Sequence, residues 1–569
     1  MLKKEVLNEL KPCHDKLLKL KLMSYGGSEF PKWVGDPSFL HLKHVSISGC
    51  KRCTLIPPLG QLPSLKELFI RGLNAVEAVG SELFGTGRTF PSLETLSFSD
   101  MSGWKKWSGA VFPRLQKLEI TRCPNLVEVT LEALPSLNDL ELYKCDSGVL
   151  RRLVEVASAV TKLDIKEISG LNDVMWRGVI EFLGAVEDLE IWWCNEIRYL
   201  VKSDADATKI LVKLRKLVVW HCDNLVSIGE KEEEDNCRSN LLTSLRTLDV
   251  SRCKNMERCS CPDGVEELTV SGCSSMTVIS FPKGGQEKLR SLRIWHCRNV
   301  LEKEWEWGGK KMNNNRSSMP MLEYVSILDW PNLKSIIELN CLVHLTELSI
   351  EDCESLESFP NTLKSLKKLK IRNCPKLEVS FLGDNLTWLK ELTIVNCPRM
   401  DACLPGWVWP PDLQFLVIGK LKKPFSEWGP QSFPTSLVEL SLYGGGEDGV
   451  IISSSEFSHL LPSSLTSLSI CDFEKLESFL VGLQHLQRLT FYKCPNLKKV
   501  SSHPQHLTSL HHLHFLDCPK MTDLPELLLP SLLSLYILGN CPGGVLKERC
   551  SKGGRYWPLI SHIPCIDTE

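Results

Sequence analysis

The sequence predicts an α/β repeat solenoid, and three features of the 569-residue chain support this fold class. The motif L-x-x-L-x-[ILVF]-x-x-C recurs along the chain, for example as LQKLEITRC at 115–123 and LQRLTFYKC at 486–494. We count about 22 units at a mean spacing of roughly 24 to 25 residues, which lies within the range of leucine-rich repeats. The chain is also longer than a single hydrophobic core ordinarily supports. We therefore expect a leucine-rich-repeat solenoid, a horseshoe or superhelix with a parallel sheet on its concave side.

Each unit is predicted to contain one short strand, because its apolar and polar residues alternate. In the unit at 366–374, Leu369 and Ile371 face one side of the strand, whereas Lys368 and Lys370 face the other. Burying the six or so apolar side chains of one unit contributes roughly 10–20 kcal/mol. Ordering about 24 residues costs on the order of 24–48 kcal/mol in backbone entropy. One unit alone is therefore not expected to fold, and stacked neighbours supply the missing burial.

The ninth motif position is most often cysteine, a small and weakly hydrogen-bonding residue that suits a buried turn. The spacing of neighbouring units would permit disulfides between these cysteines. We nevertheless expect reduced structural thiols, because the sequence shows no export signal. The predicted cysteine ladder consists of Cys50, Cys123, Cys145, Cys194, Cys222, Cys253, Cys273, Cys297, Cys353, Cys374, Cys397, Cys494 and Cys518.

The segments after the ladder position predict the opposite, convex side of the solenoid. Proline often follows the cysteine, as in CPNLVEV at 123–129, and proline neither continues a strand nor enters a helix interior. We therefore expect loops and short 3₁₀ turns on this side. Hydrophilic stretches at 202–209, 230–240 and 308–318 are interpreted as surface loops.

These patterns divide the chain into five predicted regions. The hydrophilic insertion in the middle is interpreted as a surface loop or as a hinge between two halves of the repeat array. The regions are an N-terminal cap remnant at 1–16, leucine-rich repeats at 17–305, the insertion or hinge at 306–320, further repeats at 321–540 and a C-terminal tail at 541–569.

Composition and motifs argue against several classes of function. A formal net charge of −2 lacks the basic excess of a nucleic-acid binder, and no apolar run is long enough for a membrane span. The sequence contains no G-x-S-x-G, H-E-x-x-H or phosphate-loop motif, so we expect neither an enzyme nor a cofactor. Cys50 and Cys53 form a lone C-x-x-C, and His512 and His514 have no third ligand at a suitable spacing, so we predict no metal site.

Aromatic residues at the seventh and eighth motif positions are the candidate functional residues. Several come from nearby units and are expected on the concave face, where exposed tryptophan and tyrosine are favoured anchors for a protein partner. The alternative is that some of these rings pack back onto adjacent strands. The candidate partner-binding residues are Tyr143, Trp192, Trp193, Trp220, His221, Trp295, His296 and Tyr492.

Three blocks of sequence are more specific than the repeat itself. They are the N-terminal stretch at 6–39, the stretch CTLIPPLGQLPSLKELFIRGLNAVEAVGSELFG at 53–85 with FPSLETLSFSDMSGWKKW at 90–107, and the closing stretch at 541–566. Through these blocks the chain resembles the leucine-rich-repeat region of plant intracellular disease resistance proteins of the coiled-coil NB-ARC type. The resemblance implies a non-catalytic recognition solenoid of innate immunity that senses effectors and contributes to autoinhibition.

The resemblance also implies a protein partner and a cellular location. The partner would be a pathogen effector, a guarded host protein, or a nucleotide-binding module in cis or in trans. We expect a cytoplasmic protein, with a nucleocytoplasmic or membrane-peripheral location as variants. Because no phosphate loop occurs, the chain is interpreted as a receptor fragment or a truncated paralogue that lacks the NB-ARC module. A substrate-recognition adaptor of a ubiquitin ligase and an extracellular receptor ectodomain stay open as alternatives.

Overall fold

A computed structural model describes most of the chain. The described residues are 2–13, 16–85, 89–109, 112–201, 211–229, 242–282, 286–300, 319–336, 339, 342–360, 363–378, 386–400, 409–422, 433–445, 461–480, 485–501, 509–541 and 545–567. The predicted surface loops at 202–209, 230–240 and 308–318, and with them most of the predicted hinge, lie outside these residues. The chain forms two compact units, which we call the N-terminal unit (Met1–Leu289 with Lys303–Lys310) and the C-terminal unit (Arg290–Glu302 with Lys311–Glu569).

The N-terminal unit is built on a parallel main sheet of five-residue strands. The predicted alternation is present, since Leu118 and Ile120 are buried while Lys117 and Glu119 are only half-buried. Successive strands pair in register, so that equivalent apolar side chains stack in continuous rows. The strands are Lys19–Met23, His44–Ser48, Glu67–Arg71, Thr95–Ser99, Lys117–Thr121, Asp139–Tyr143, Lys162–Lys166, Asp188–Trp192, Lys216–Trp220, Thr247–Ser251 and Glu267–Ser271.

The remaining segments of the N-terminal unit are mostly loops, as predicted, but they also contain short strands and helices that the sequence analysis did not predict. The short strands are Ala78–Val79, Lys106–Gly109, Glu128–Leu131, Tyr199–Val201, Ser227–Gly229, Arg258–Ser260 and Val278–Ser280. The helices are Leu2–Glu9, Ser81–Phe84, Ser147–Val156 and Asp173–Ile180, with a 3₁₀ turn at Leu59–Gln61. The two longer helices inside the repeats begin after Asp146 and Asn172, whose side chains accept hydrogen bonds from backbone N–H groups of the first turn.

The C-terminal unit repeats this architecture. Its main strands are Ser291–Trp295, Tyr324–Leu328, Glu347–Glu351, Lys368–Arg372, Glu391–Cys397, Phe415–Leu421, Glu439–Tyr443, Ser467–Cys471, Arg488–Tyr492, His512–Leu516, Ser534–Leu538 and Cys565–Asp567. Its other elements are the strands Ser478–Leu480 and Lys499–Ser501, the 3₁₀ turn Leu529–Ser531 and the helices Val545–Cys550 and Trp557–Ile560. None of the helices in the described part of the chain has the length and hydrophobicity that a membrane crossing requires.

The thirteen ladder cysteines all lie in the core, two residues after the end of a strand or, for Cys397, at its last residue. Each is at most 1% exposed. Each Sγ donates to the backbone carbonyl two residues earlier, at 3.3–3.7 Å. At Cys145 this carbonyl, that of Tyr143, also accepts from the N–H of Arg122. The thiol therefore closes the turn after the strand, and no disulfide links the described cysteines.

We expect the ladder thiols to be unreactive in the folded protein. Burial raises the pKa of Cys123 and of Cys145 to about 12, so little of the reactive thiolate is present near neutral pH. Iodoacetamide followed by peptide mass spectrometry should label the exposed Cys13 and Cys565 and leave the ladder intact. Urea should make the ladder reactive. Rapid labelling of Cys145 in the folded chain would contradict the assigned burial.

Candidate protein-binding face

The main sheet of the N-terminal unit has one face that carries the polar and aromatic side chains of its strands. We call it the open face. The first, third and fifth residues of each strand lie on it, as shown by Asp188, Glu190 and Trp192, which are half-buried. The second and fourth residues, Leu189 and Ile191, point into the core. The period of two thus decides which residues a partner can reach.

Four candidate residues, Trp192, Trp193, Trp220 and His221, form one contact group that we call the aromatic cluster. Trp192 pairs in register with Trp220, and their ring centroids lie 4.7 Å apart in a T-shaped contact. Trp193 lies 5.6 Å from Trp220 and stacks on His221 at 5.8 Å. The rings therefore pack on one another, while Trp193 keeps 39% of its surface exposed.

Trp193 and His221 occupy a backbone turn after the strand. Both have φ of 54°, in the left-handed region that costs roughly 1–2 kcal/mol for a residue with a Cβ atom. The turn is held by their N–H groups, which donate to the carbonyls of Trp220 and Ser251 at 2.9 Å. Lys144 has the same conformation in its own repeat. This repeated turn fixes the eighth motif position at the rim of the open face.

Two cations lie over the rings of the aromatic cluster. The guanidinium of Arg252 is 5.1 Å from the ring centroid of Trp220, and the ammonium of Lys166 is 5.7 Å from that of Trp192. Such contacts contribute about 0.5–1 kcal/mol at exposed sites. Burial and the charge of Arg252 lower the pKa of His221, which favours the neutral form of its ring. The aromatic cluster therefore makes cation–π contacts with side chains of its own chain.

A row of carboxylates crosses the open face beside the aromatic cluster. These are the third residues of four consecutive strands, which lie about 4.8 Å apart. We call them the acidic row, and its members are Glu119, Glu141, Asp164 and Glu190. Three lysines compensate them: Lys117 contacts Glu119 at 2.5 Å, Lys216 contacts Glu190 at 2.7 Å, and Lys166 contacts both Asp164 at 2.7 Å and Glu141 at 3.4 Å.

Asp164, in the middle of the acidic row, is the least satisfied of these carboxylates. It is 8% exposed, and its Oδ1 is buried with no hydrogen-bond partner. Burial, together with the charges of Glu141 and Glu190, raises the pKa of Asp164 despite its ion pair with Lys166. Glu190 shows the opposite result, because Lys216 lowers its pKa against the effect of burial. The Oδ1 atom of Asp164, at the centre of the row, is therefore a buried acceptor that receives no hydrogen bond.

The other four candidate residues do not join the aromatic cluster. Tyr143 is half-buried on a neighbouring part of the open face, beneath the ammonium of Lys144. Three candidates belong to the C-terminal unit. There Trp295 donates its indole N–H to Ser326 Oγ at 2.9 Å, and His296 contacts Asp329 at 3.0 Å. Tyr492 lies several strands away from both.

The histidine pair, His512 and His514, lies on the main sheet of the C-terminal unit, with both side chains half-buried on the same face. His512 Nδ1 and His514 Nε2 lie 2.8 and 3.2 Å from the same Ser534 hydroxyl. No group of three or more His, Cys, Asp or Glu side chains arranged to hold a metal ion occurs in the described part of the chain. Cys50 and Cys53 are both buried, with their thiols donating to backbone carbonyls.

Comparison with known proteins identifies sequences that are similar to these repeats. Residues 1–73 match the family described as R13L1/DRL21 leucine-rich repeats. The chain is 32% identical over 236 residues to disease resistance RPP13-like protein 1 of Arabidopsis thaliana, and 34% identical over 183 residues to disease resistance protein RGA1 of Solanum bulbocastanum. Parts of this chain are therefore similar in sequence to plant disease resistance proteins. The predicted resemblance is thereby confirmed.

The aligned regions are a limited part of these disease resistance relatives. They cover 39% of this chain and 22% of the first protein, and 31% of this chain and 18% of the second. Among solved structures, the circular leucine-rich-repeat protein CroV588 is similar with a TM-score of 0.45 and 15% identity, covering 98% of this chain and 86% of that one. The leucine-rich-repeat fold itself follows from the in-register strands described above.

Proposed function

We propose that this chain is a non-catalytic recognition solenoid of plant defence that binds a protein partner through the open face of its N-terminal unit. The observation that carries the proposal is the aromatic cluster, in which an exposed tryptophan is held by a fixed turn. Tryptophan is over-represented among the few residues that dominate binding energy at protein interfaces. The similarity to disease resistance proteins supports the defence role.

The partner we propose is a pathogen effector, a guarded host protein or a nucleotide-binding module in cis or in trans. A long row of repeats offers an extended surface, which suits macromolecular partners better than small ligands. Contact with a nucleotide-binding module would give the repeats an autoinhibitory role. The buried cysteines without disulfides are suited to a reducing compartment, which supports our proposal of a cytoplasmic location.

We expect Trp193→Ala and Trp220→Ala to weaken partner binding by about 10- to 100-fold, because each removes an interfacial aromatic anchor. The full chain and each variant would be used to capture proteins from pathogen-challenged plant tissue. A partner that depends on both tryptophans would then be measured by calorimetry. Trp295→Ala reports whether the C-terminal unit contributes.

A matched control for these substitutions is Trp388→Ala, which removes a tryptophan that is 62% exposed in the C-terminal unit. This variant should bind the partner like the unmodified chain. Circular dichroism would establish that each variant is folded. A confirmed partner with equal affinity for the unmodified chain, Trp193→Ala and Trp220→Ala would refute the proposal.

A further inference from the structure

The open face of the N-terminal unit carries more negative charge than its own lysines neutralise. We consider the first, third and fifth residues of the five paired strands from Asp139–Tyr143 to Thr247–Ser251. They include six carboxylates and three lysines, giving a net charge of −3, whereas the whole chain has −2. The carboxylates are Asp139, Glu141, Asp164, Asp188, Glu190 and Asp249, and the lysines are Lys162, Lys166 and Lys216.

The acidic row shares in this shortage, because its four carboxylates are paired with only three lysines. Lys166 is shared between Glu141 and Asp164, and the Oδ1 atom of Asp164 has no hydrogen-bond partner. Carboxylates on adjacent strands repel one another at this spacing. A cation brought by a partner would relieve this repulsion. The face is therefore electrostatically complementary to a basic ligand.

The aromatic cluster lies directly beside these carboxylates. Glu190 and Trp192 are two residues apart on the same strand and on the same face. Trp220 is the register partner of Trp192 on the next strand. A guanidinium group can bind a carboxylate through its N–H fork and stack on an aromatic ring through its plane. Arg252 over Trp220 shows that this ring accepts such a group.

We propose that the acidic row and the aromatic cluster together bind a basic peptide segment of the partner, with arginine as the preferred residue. This inference rests on the proposed function, because it assigns a chemistry to the partner of that face. An extended peptide of about six residues reaches roughly 20 Å. Five strands spaced by about 4.8 Å cover nearly the same distance. A short segment is therefore long enough to cross the whole acidic face.

The test is calorimetric titration of the full chain with a peptide of alternating arginine and glycine, about eight residues long. The matched probe replaces arginine by citrulline, which keeps the shape and removes the charge. We expect binding of the arginine peptide alone, weakening as salt is raised. The double variant Asp164→Asn, Glu190→Gln should lower the affinity about 10-fold, which corresponds to about 1.4 kcal/mol.

The control is Glu347→Gln with Glu391→Gln, which removes two strand carboxylates that flank Lys368 in the C-terminal unit. It should leave the titration unchanged. The inference would be overturned if the arginine peptide did not bind, or if the citrulline peptide bound equally well. It would also be overturned if the double variant of Asp164 and Glu190 kept the affinity of the unmodified chain. If a captured plant partner bound Trp193→Ala and Trp220→Ala with the same affinity as the unmodified chain, the proposed function would fail instead. The two failures are therefore distinguishable.

Discussion

Replacing Trp104 by alanine is expected to destabilise the N-terminal unit by about 3–5 kcal/mol. The Trp104 side chain is completely buried, with its ring 4.7 Å from that of Phe98 and 5.7 Å from that of Trp107. Its indole N–H donates to the carbonyl of Lys106 at 2.8 Å. Alanine would therefore leave a large cavity and remove the donor of a hydrogen bond. Both effects act against folding.

Urea unfolding followed by circular dichroism would measure the loss of stability. Because the chain has two compact units, hydrogen exchange of peptides from 90–121 would localise the effect to the repeats around Trp104. The exposed-site control is again Trp388→Ala, for which we expect a change within about 0.5 kcal/mol. A loss below about 1 kcal/mol for Trp104→Ala would show that the neighbouring rings collapse into the space.

The strands could be predicted from the sequence, but the position of Trp104 could not. Strand burial depends on alternate residues within one motif, so Leu118 and Ile120 are identified by local spacing alone. Trp104 lies between motifs, in a segment whose course the repeat pattern does not determine. Its burial arises from the packing of Phe98 and Trp107 against it, which is tertiary information. In the sequence, the segment that contains Trp104 was noted only because the stretch at 90–107 resembles that of a known family.

The candidate site was predictable in part, for a similar reason. Motif spacing placed Trp192 and Trp220 on adjacent strands. It did not predict the left-handed turn at Trp193 and His221, because glycine or asparagine usually signals such a turn and neither residue occurs at these positions. The acidic row was missed because the repeat of Asp164 has Ile168 at the ninth motif position, two residues after the strand ends, where the motif expects cysteine. A search for acidic residues at the third strand position would have found it.

Acidification is expected to destabilise the C-terminal unit through His514. The ring is half-buried, 4.7 Å from that of Tyr536, with Nε2 3.2 Å from Ser534 Oγ. Burial, with smaller contributions from the charges of Arg488 and His512, lowers the pKa of His514 to about 4. In the unfolded chain the value is about 6.5. The folded state therefore binds fewer protons between these two pH values.

The sign of the effect follows from this difference in proton binding. Stability from the neutral ring is fully present above pH 6.5 and is lost as the pH falls towards 4, by up to about 3 kcal/mol. Urea unfolding of the full chain at pH 7 and near pH 4.5 would measure it. Because carboxylates also titrate there, the informative quantity is the difference from His514→Gln, which cannot be protonated. His485→Gln, at an exposed position, should keep the acid sensitivity of the unmodified chain. If His514→Gln kept it too, acid destabilisation would have to arise from groups other than this buried imidazole.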